Sequence, residues 1–245
     1  MLAVEKLNKA FGALQVARDI SFHIEKGARH AIIGPNGAGK TTLFDLLTGA
    51  IKADSGRILF SGENITRAGM DVRARAGMAR SFQQNNLFAD MTVSENLLTA
   101  LVVARGYGCN MWNRFVGSDK LATDVIKSAE KIGLADALSE PASGLSYGMQ
   151  RQLEVGLAMA ADPKLLLLDE PTAGMSPEET KLMLALVASL PVSLTVVIIE
   201  HDMDVVFQIA QQVTVLDDGA VLFEGTPDAV RHSDVVRARY LKRAK

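Results

Sequence analysis

Gly34-Pro35-Asn36-Gly37-Ala38-Gly39-Lys40-Thr41-Thr42 fits G-x-x-x-x-G-K-S/T, the pattern of a phosphate-binding loop. Its surroundings fit too. Residues 28–33 read as a strand entering the loop. Residues 41–48 read as a helix leaving it, with Leu43, Leu46 and Leu47 on one face and Gly49 as a stop. Glycines let backbone N–H groups curl around a polyphosphate, and the helix N-terminus adds the positive end of its dipole. In this reading residues 34–42 form the cradle. Lys40 reaches the β and γ phosphates, and Thr41 offers its hydroxyl to Mg²⁺.

Upstream, residues 2–7 read as a short strand. Ile20, Phe22 and Ile24 alternate with polar residues, so one face of a second strand is buried. Residues 25–27 turn the chain toward the loop's own strand. Downstream, Asp54-Ser55-Gly56 reads as a turn and residues 57–60 as another strand. The middle is helical. Thr92-Val93-Ser94-Glu95 fits a capping box ahead of Leu97, Leu98, Leu101 and Val102. Residues 118–132 form a second helix, with Leu121, Val125, Ala129 and Ile132 on one stripe and Gly133 as its stop. Residues 106–117 are a loop, and residues 148–161 begin a third helix.

The last third returns to α/β. The apolar runs 165–168 and 195–199 read as central strands buried on both faces. Ser176-Pro177-Glu178-Glu179 combines an N-cap, a proline at N1 and a capping-box glutamate. Asp218-Gly219 between residues 213–216 and 221–223 is a hairpin signal, and Thr226-Pro227 starts a short helix. The expected fold is α/β: a P-loop NTPase core (RecA-like) with an antiparallel β subdomain and an inserted α-helical subdomain. Residues 1–86 hold the β-rich part and the phosphate loop, 87–160 the helical insert, 161–230 the rest of the core and 231–245 a basic tail, of which 237–245 is most simply solvated.

A chain of 245 residues, 48% hydrophobic, can bury a large core. Its net charge of −2 gives no argument for nucleic-acid binding. The single cysteine, Cys109, rules out an internal disulfide framework and suits a reducing compartment. Residues 1–9 lack the apolar run of a signal peptide, and no stretch is long enough to span a bilayer. A membrane function would need another chain to supply the membrane part.

A phosphate loop alone leaves many ATPases and GTPases open. Asp169-Glu170, at the end of a buried strand, narrows them, because acids there point into the crevice where ligands bind. Asp169 suits Mg²⁺, through water. Glu170 suits polarisation of the attacking water.

Leu145-Ser146-Tyr147-Gly148-Met149-Gln150, just before a helix, resembles the Leu-Ser-Gly-Gly-Gln signature of ABC-type ATPases. Other members of that pattern follow in order. Gln83 resembles the Q-loop glutamine, residues 173–176 stand at the D-loop, His201 stands at the switch histidine, and Phe11 stands where the family stacks an aromatic on adenine. Taken singly, His201 is a helix-cap neighbour, Gln83 a polar loop residue, Phe11 core and Ser146 an N-cap. Their joint spacing carries the resemblance, which covers nearly the whole chain. Tyr147 and Met149 depart from the signature, and Ser176 stands where the D-loop usually has Asp. His23, His30 and His232 read as structural.

The resemblance implies ATP as substrate with Mg²⁺ held by Thr41, Gln83 and Asp169. Glu170, His201, Lys40 and Gln83 act in catalysis. Phe11 and the loop residues hold one nucleotide, while Ser146 and Gly148 close over the nucleotide of a second ATP-binding subunit, identical or related. It implies integral membrane permease subunits, a periplasmic or extracellular solute-binding protein indirectly, and a place on the inner face of the cell membrane. Residues 77–83, 86–88, 91–93, 174–177 and 199–203, and the ending 236–241, are similar to the ATP-binding subunits of branched-chain amino acid importers. Urea and amide importers share these stretches, and lipopolysaccharide exporters are close relatives. A soluble ABC ATPase usually has paired nucleotide domains or coiled-coil insertions, absent here. A GTP switch fails because Phe11 stands where Asn8-Lys9-Ala10 would need an Asp. A non-catalytic regulatory subunit sits badly with intact Lys40, Asp169, Glu170 and His201.

Overall fold

The computed structural model describes residues 1–81, 87–106 and 119–241, with side chains described through Arg239. The chain divides into two compact units. The first comprises Met1–Met78, Lys164–Glu170 and Pro191–Lys245; the second comprises Ala79–Pro163 and Pro171–Leu190.

Two sheets build the first unit. The antiparallel one is ordered β2-β1-β4-β5, from β1 (Leu2–Phe11), β2 (Leu14–Ile24), β4 (Ser55–Phe60) and β5 (Glu63–Asn64). The other joins β3 (Arg29–Ile33), β7 (Leu165–Asp169), β8 (Thr195–Ile199), β9 (Gln212–Asp217) and β10 (Ala220–Gly225) in the order β10-β9-β3-β8-β7. The short strand β6 spans Met78–Ser81. Strands β3, β7, β8 and β9 pair in parallel; β10 returns antiparallel to β9. The continuous apolar runs are indeed buried on both faces, every residue of β7 and β8 included.

Alternation along β3 divides the core. Ile32 joins a cluster with Leu43, Phe44, Leu46 and Leu47 of α1 (Lys40–Thr48) and with Leu2, Ile20, Ile58 and Phe60 of the antiparallel sheet. The phosphate-loop helix is therefore packed against both sheets at once. Ala31 and Ile33 point the other way, into a cluster with Val213 and Val215 of β9, Val206 of α7 (Met203–Ile209), Val230 of α8 (Pro227–His232) and Val236. Period-two alternation on one strand thus seeds two cores.

The far end of α1 is closed by a group outside the helix. Gly49, at φ 80°, donates its N–H to Leu46 O. Arg73, on the short helix α2 (Met70–Arg75), is 2% exposed. Its guanidinium donates to Leu46 O and Leu47 O, both at 2.6 Å, to Ala68 O at 2.9 Å and to Thr66 O at 3.1 Å. A cation on the last carbonyls satisfies orphan acceptors and complements the helix dipole.

Three sequence expectations need correction. Asp54-Ser55-Gly56 is not simply a turn, since β4 already begins at Ser55, paired with Asn8. Gly56, at φ 93°, sits at the register shift between Glu5 and Asn8, and a Cβ there would lie 2.3 Å from Lys6 O. The glycine serves a bulge, not a chain reversal. The first strand runs on to Phe11 rather than stopping at Leu7. The basic ending is not wholly a solvated tail. Within it Arg237–Leu241 form a helical turn, and Arg239 pairs with Asp217 at 2.9 Å.

In the second unit, α3 (Val93–Ala104) begins in the expected capping box of Thr92 and Glu95. Asn96, 1% exposed, fixes the approach to it, donating to the carbonyls of Phe88, Met91 and Thr92 and accepting from Phe88 N. Helix α4 (Asp119–Lys131) buries Leu121, Val125 and Ala129, the expected stripe. The expected first residue of that helix, Ser118, and the loop before it lie outside the described residues from 107 onward. Helices α5 (Tyr147–Met159) and α6 (Pro177–Ser189) complete the unit, capped by Ser146 and Ser176.

His30 is structural, as its lack of motif support suggested. It is 1% exposed on β3, with Nε2 2.8 Å from Thr214 Oγ1 and its ring 6.2 Å from that of Phe22. Burial pushes its pKa down to about 4 from 6.5. The folded chain thus prefers the neutral imidazole, so this contribution is complete above pH 6.5 and is lost as the pH falls toward 4. We expect urea titrations to show stability falling across that window by up to about 3 kcal/mol from this residue. His30→Gln, which can keep a bond to Thr214 but does not titrate, should flatten the profile by that amount. Identical profiles would remove His30 as the source.

Candidate nucleotide site

In the first unit the loop residues 34–39 take the backbone their glycines allow. Gly37 and Gly39 have φ of 82° and 96°. A Cβ at Gly34 would lie 2.2 Å from Leu216 O, and one at Gly39 2.6 Å from Val16 O, so strands β9 and β2 press on the loop through backbone. The turn between β9 and β10 braces it as well. Gly219 N donates to Ala38 O at 3.2 Å, and Arg18 N of β2 donates to Gly219 O at 2.7 Å. The loop's shape is set in part by its neighbours' main chains and in part by its own turn, in which Ala38 N donates to Pro35 O at 3.1 Å.

Lys40 is buried, with Nζ donating to Gly34 O at 2.7 Å and Pro35 O at 3.0 Å. Burial lowers its pKa, while the charges of Glu170 and Asp169 oppose that shift. The two acids therefore keep an ammonium where the loop would otherwise discourage it. Thr41 is exposed at the helix start, and Asp169 is 3% exposed at the end of β7. Among the described residues no group of three or more His, Cys, Asp or Glu could hold a metal. A hydroxyl, one carboxylate and phosphate oxygens suit Mg²⁺, which keeps several waters and needs no all-protein cage.

Glu170 follows Asp169 with φ 48°, a left-handed backbone that costs a non-glycine residue on the order of 1 kcal/mol or more. Its N–H donates to Ile199 O at 2.9 Å. The turn brings its carboxylate 3.8 Å from His201 Nδ1. Behind the histidine lies Glu200, fully buried, whose Oε2 accepts from His201 N at 3.2 Å and stands 4.0 Å from Nδ1. His201 thus sits between two carboxylates with its ring 55% exposed. Sequence reasoning named Glu170 and His201 but gave Glu200 no role. The only hint was an acid closing an apolar run. Phe11 stands at the end of β1, 52% exposed, with Lys9 Nζ 5.3 Å from its ring centre. The ring is therefore exposed and not part of the core. Gln83 lies outside the described residues.

In the second unit Ser146 accepts from Met149 N at 3.3 Å, so the N-cap reading of this residue holds as well. Tyr147 occupies its unusual place with ease. Its hydroxyl accepts from Arg151 Nε and Nη2 at 3.1 and 2.7 Å, and Arg151 also pairs with the buried Glu154 at 2.8 Å. The ring packs over Gly174, where a Cβ would lie 3.5 Å from Tyr147 Cε1. Ser176 caps α6 in a full capping box with Glu179, so replacing the usual Asp has not weakened that helix start.

A phosphate loop on a parallel sheet, with an acid pair and a histidine at neighbouring strand ends, defines a P-loop nucleotide hydrolase. Residues 17–173 match the family model described as ABC transporter. The chain is 38% identical over 246 residues to the high-affinity branched-chain amino acid transport ATP-binding protein LivG of Salmonella typhimurium, covering 97% of this chain and 96% of that one. It is 38% identical, over the same shares, to the corresponding protein BraF of Pseudomonas aeruginosa. Among solved structures, the ADP conformation of an ATP-binding cassette of an ABC transporter superposes with a TM-score of 0.86 at 30% identity, covering 98% of each chain. The chain belongs to the ABC transporter family. It is an ATP-binding cassette, and its reaction is ATP hydrolysis. Among the described residues no helix is long and apolar enough to cross a membrane.

Proposed function

We propose that this cassette powers an importer of branched-chain or other amino acids, working with a second cassette and membrane permease subunits on the inner face of the membrane. The observation that carries the reading is near-full-length similarity to cassettes named for that transport. A solute-binding protein would deliver the amino acid to the permease.

In this reading the loop N–H groups and Lys40 neutralise the phosphates, and Phe11 stacks on the adenine. Thr41, Gln83 and, through water, Asp169 would hold Mg²⁺, which supplies charge neutralisation at the phosphate oxygens. Glu170 takes the proton from the water that attacks the γ phosphorus. His201, steadied by Glu200 through its own N–H, contacts the γ-phosphate. Ser146 and Gly148 of the partner cassette donate to the same phosphate. Catalysis by positioning and fixed charge suits phosphoryl transfer, where the protein has little covalent chemistry to perform.

The test is transport. Co-purified with its permease subunits and reconstituted in vesicles, the cassette should drive uptake of labelled leucine with ATP on the cassette side, and Lys40→Ala should abolish it. ATP-driven uptake of urea or a short amide, with none of leucine, would overturn the solute assignment while keeping the transporter.

A further inference from the structure

The signature donors are already engaged by an anion of this chain. Ser146 Oγ donates to Glu179 Oε1 at 3.0 Å, and Gly148 N donates to the same oxygen at 2.9 Å. The other oxygen, Oε2, accepts from Ser176 N and Ser176 Oγ, each at 3.0 Å. A capping-box glutamate ordinarily serves its own helix alone. Glu179 serves two, bridging the N-termini of α6 and α5. Gly148 leaves the room for this, because a Cβ there would lie 2.7 Å from Glu179 Cγ and Oε1. A carboxylate oxygen between a serine hydroxyl and a helix N-terminal amide meets the same recognition chemistry as a phosphate oxygen.

We propose that Glu179 is an internal competitor for the signature, holding the Ser146 hydroxyl and the Gly148 N–H until the terminal phosphate of a nucleotide carried by a second cassette displaces it. The inference rests on the reading that Ser146 and Gly148 face that phosphate. One hydroxyl proton and one amide proton cannot serve two anions fully. When the phosphate arrives, Glu179 keeps its bonds to Ser176 through Oε2, so α6 stays capped while α5 changes its anion. The four donors hold the Glu179 pKa down to about 2, so the competitor is charged at any working pH. Closure of the nucleotide-loaded pair is thereby weakened by the fraction of signatures already occupied, which raises the nucleotide concentration that closure needs.

The experiment measures the ATP concentration at half-maximal dimer formation by sedimentation velocity, using the full chain carrying Glu170→Gln. Adding Glu179→Gln preserves an acceptor for Ser176 and removes the charge. Its midpoint should fall by about tenfold, the scale of one charge-assisted hydrogen bond. Glu179→Asp keeps the charge but withdraws it from Gly148, and should lower the midpoint in the same direction. An unchanged or higher midpoint in both, with Ser146→Ala raising it, would overturn the competition and leave the composite site standing. If Ser146→Ala leaves the midpoint where it was, the reading of the signature itself fails and the competition falls with it.

Discussion

Glu170→Gln should lower steady-state ATP hydrolysis by about 10²- to 10³-fold while ATP binding stays close to that of the parent. The substitution is nearly isosteric. The main-chain bond from residue 170 to Ile199 O does not depend on the side chain, so the left-handed turn should survive. The loop, Lys40 and Thr41, to which the proposed function assigns the phosphate contacts, are untouched. What disappears is the group able to accept a proton beside His201. Single-turnover hydrolysis and equilibrium binding of a fluorescent ATP analogue separate the two effects. A parent-like rate would transfer the base role elsewhere. Glu200 is a poor heir, since it is fully buried and already accepts the His201 N–H.

The second large effect concerns the pairing of cassettes. Chains carrying Ser146→Arg and chains carrying Lys40→Ala should each be inactive, the first for want of signature donors, the second for want of the buried ammonium. Mixed in equal amounts, half of the pairs would be hybrids with one intact composite site, so about a quarter of parent activity should return in a symmetric dimer. The measurement is phosphate release from the mixture against each variant alone. No recovery would mean that loop and signature do not meet across two chains. Arginine at 146 would also attract Glu179, so the Ser146→Arg chain should be folded and blocked rather than unfolded. Its thermal melt checks this.

Much of this arrangement was legible because its determinants are local. The phosphate loop, the two capping boxes and the doubly buried strands each announce themselves within a few residues, and each stands where it was expected. The features without a local signal depend on distant partners. Helix α2 is only six residues long and exists to deliver Arg73 to carbonyls 26 and 27 positions earlier. Nothing in Met70–Arg75 itself signals that duty. Gly56 reads as a turn in the sequence because a glycine's positive φ looks the same in a turn and in a bulge until the partner strand is known. In the site, Glu179 was visible only as a cap, since sequence spacing cannot reveal that one carboxylate reaches a second helix 31 positions away.

Arg73 has a consequence for watching the enzyme at work. Helix α1 carries the phosphate loop at one end and is fastened at the other by a buried cation that gives two hydrogen bonds to its last carbonyls and two to the 66–68 segment. In hydrogen–deuterium exchange, the amides of Leu46 and Leu47 should therefore report only whole-unit opening, with or without nucleotide. The amides of Gly37 to Thr41 should slow when phosphates arrive. One helix then holds both the signal and its internal standard, and Arg73→Ala should erase the standard before it touches the signal.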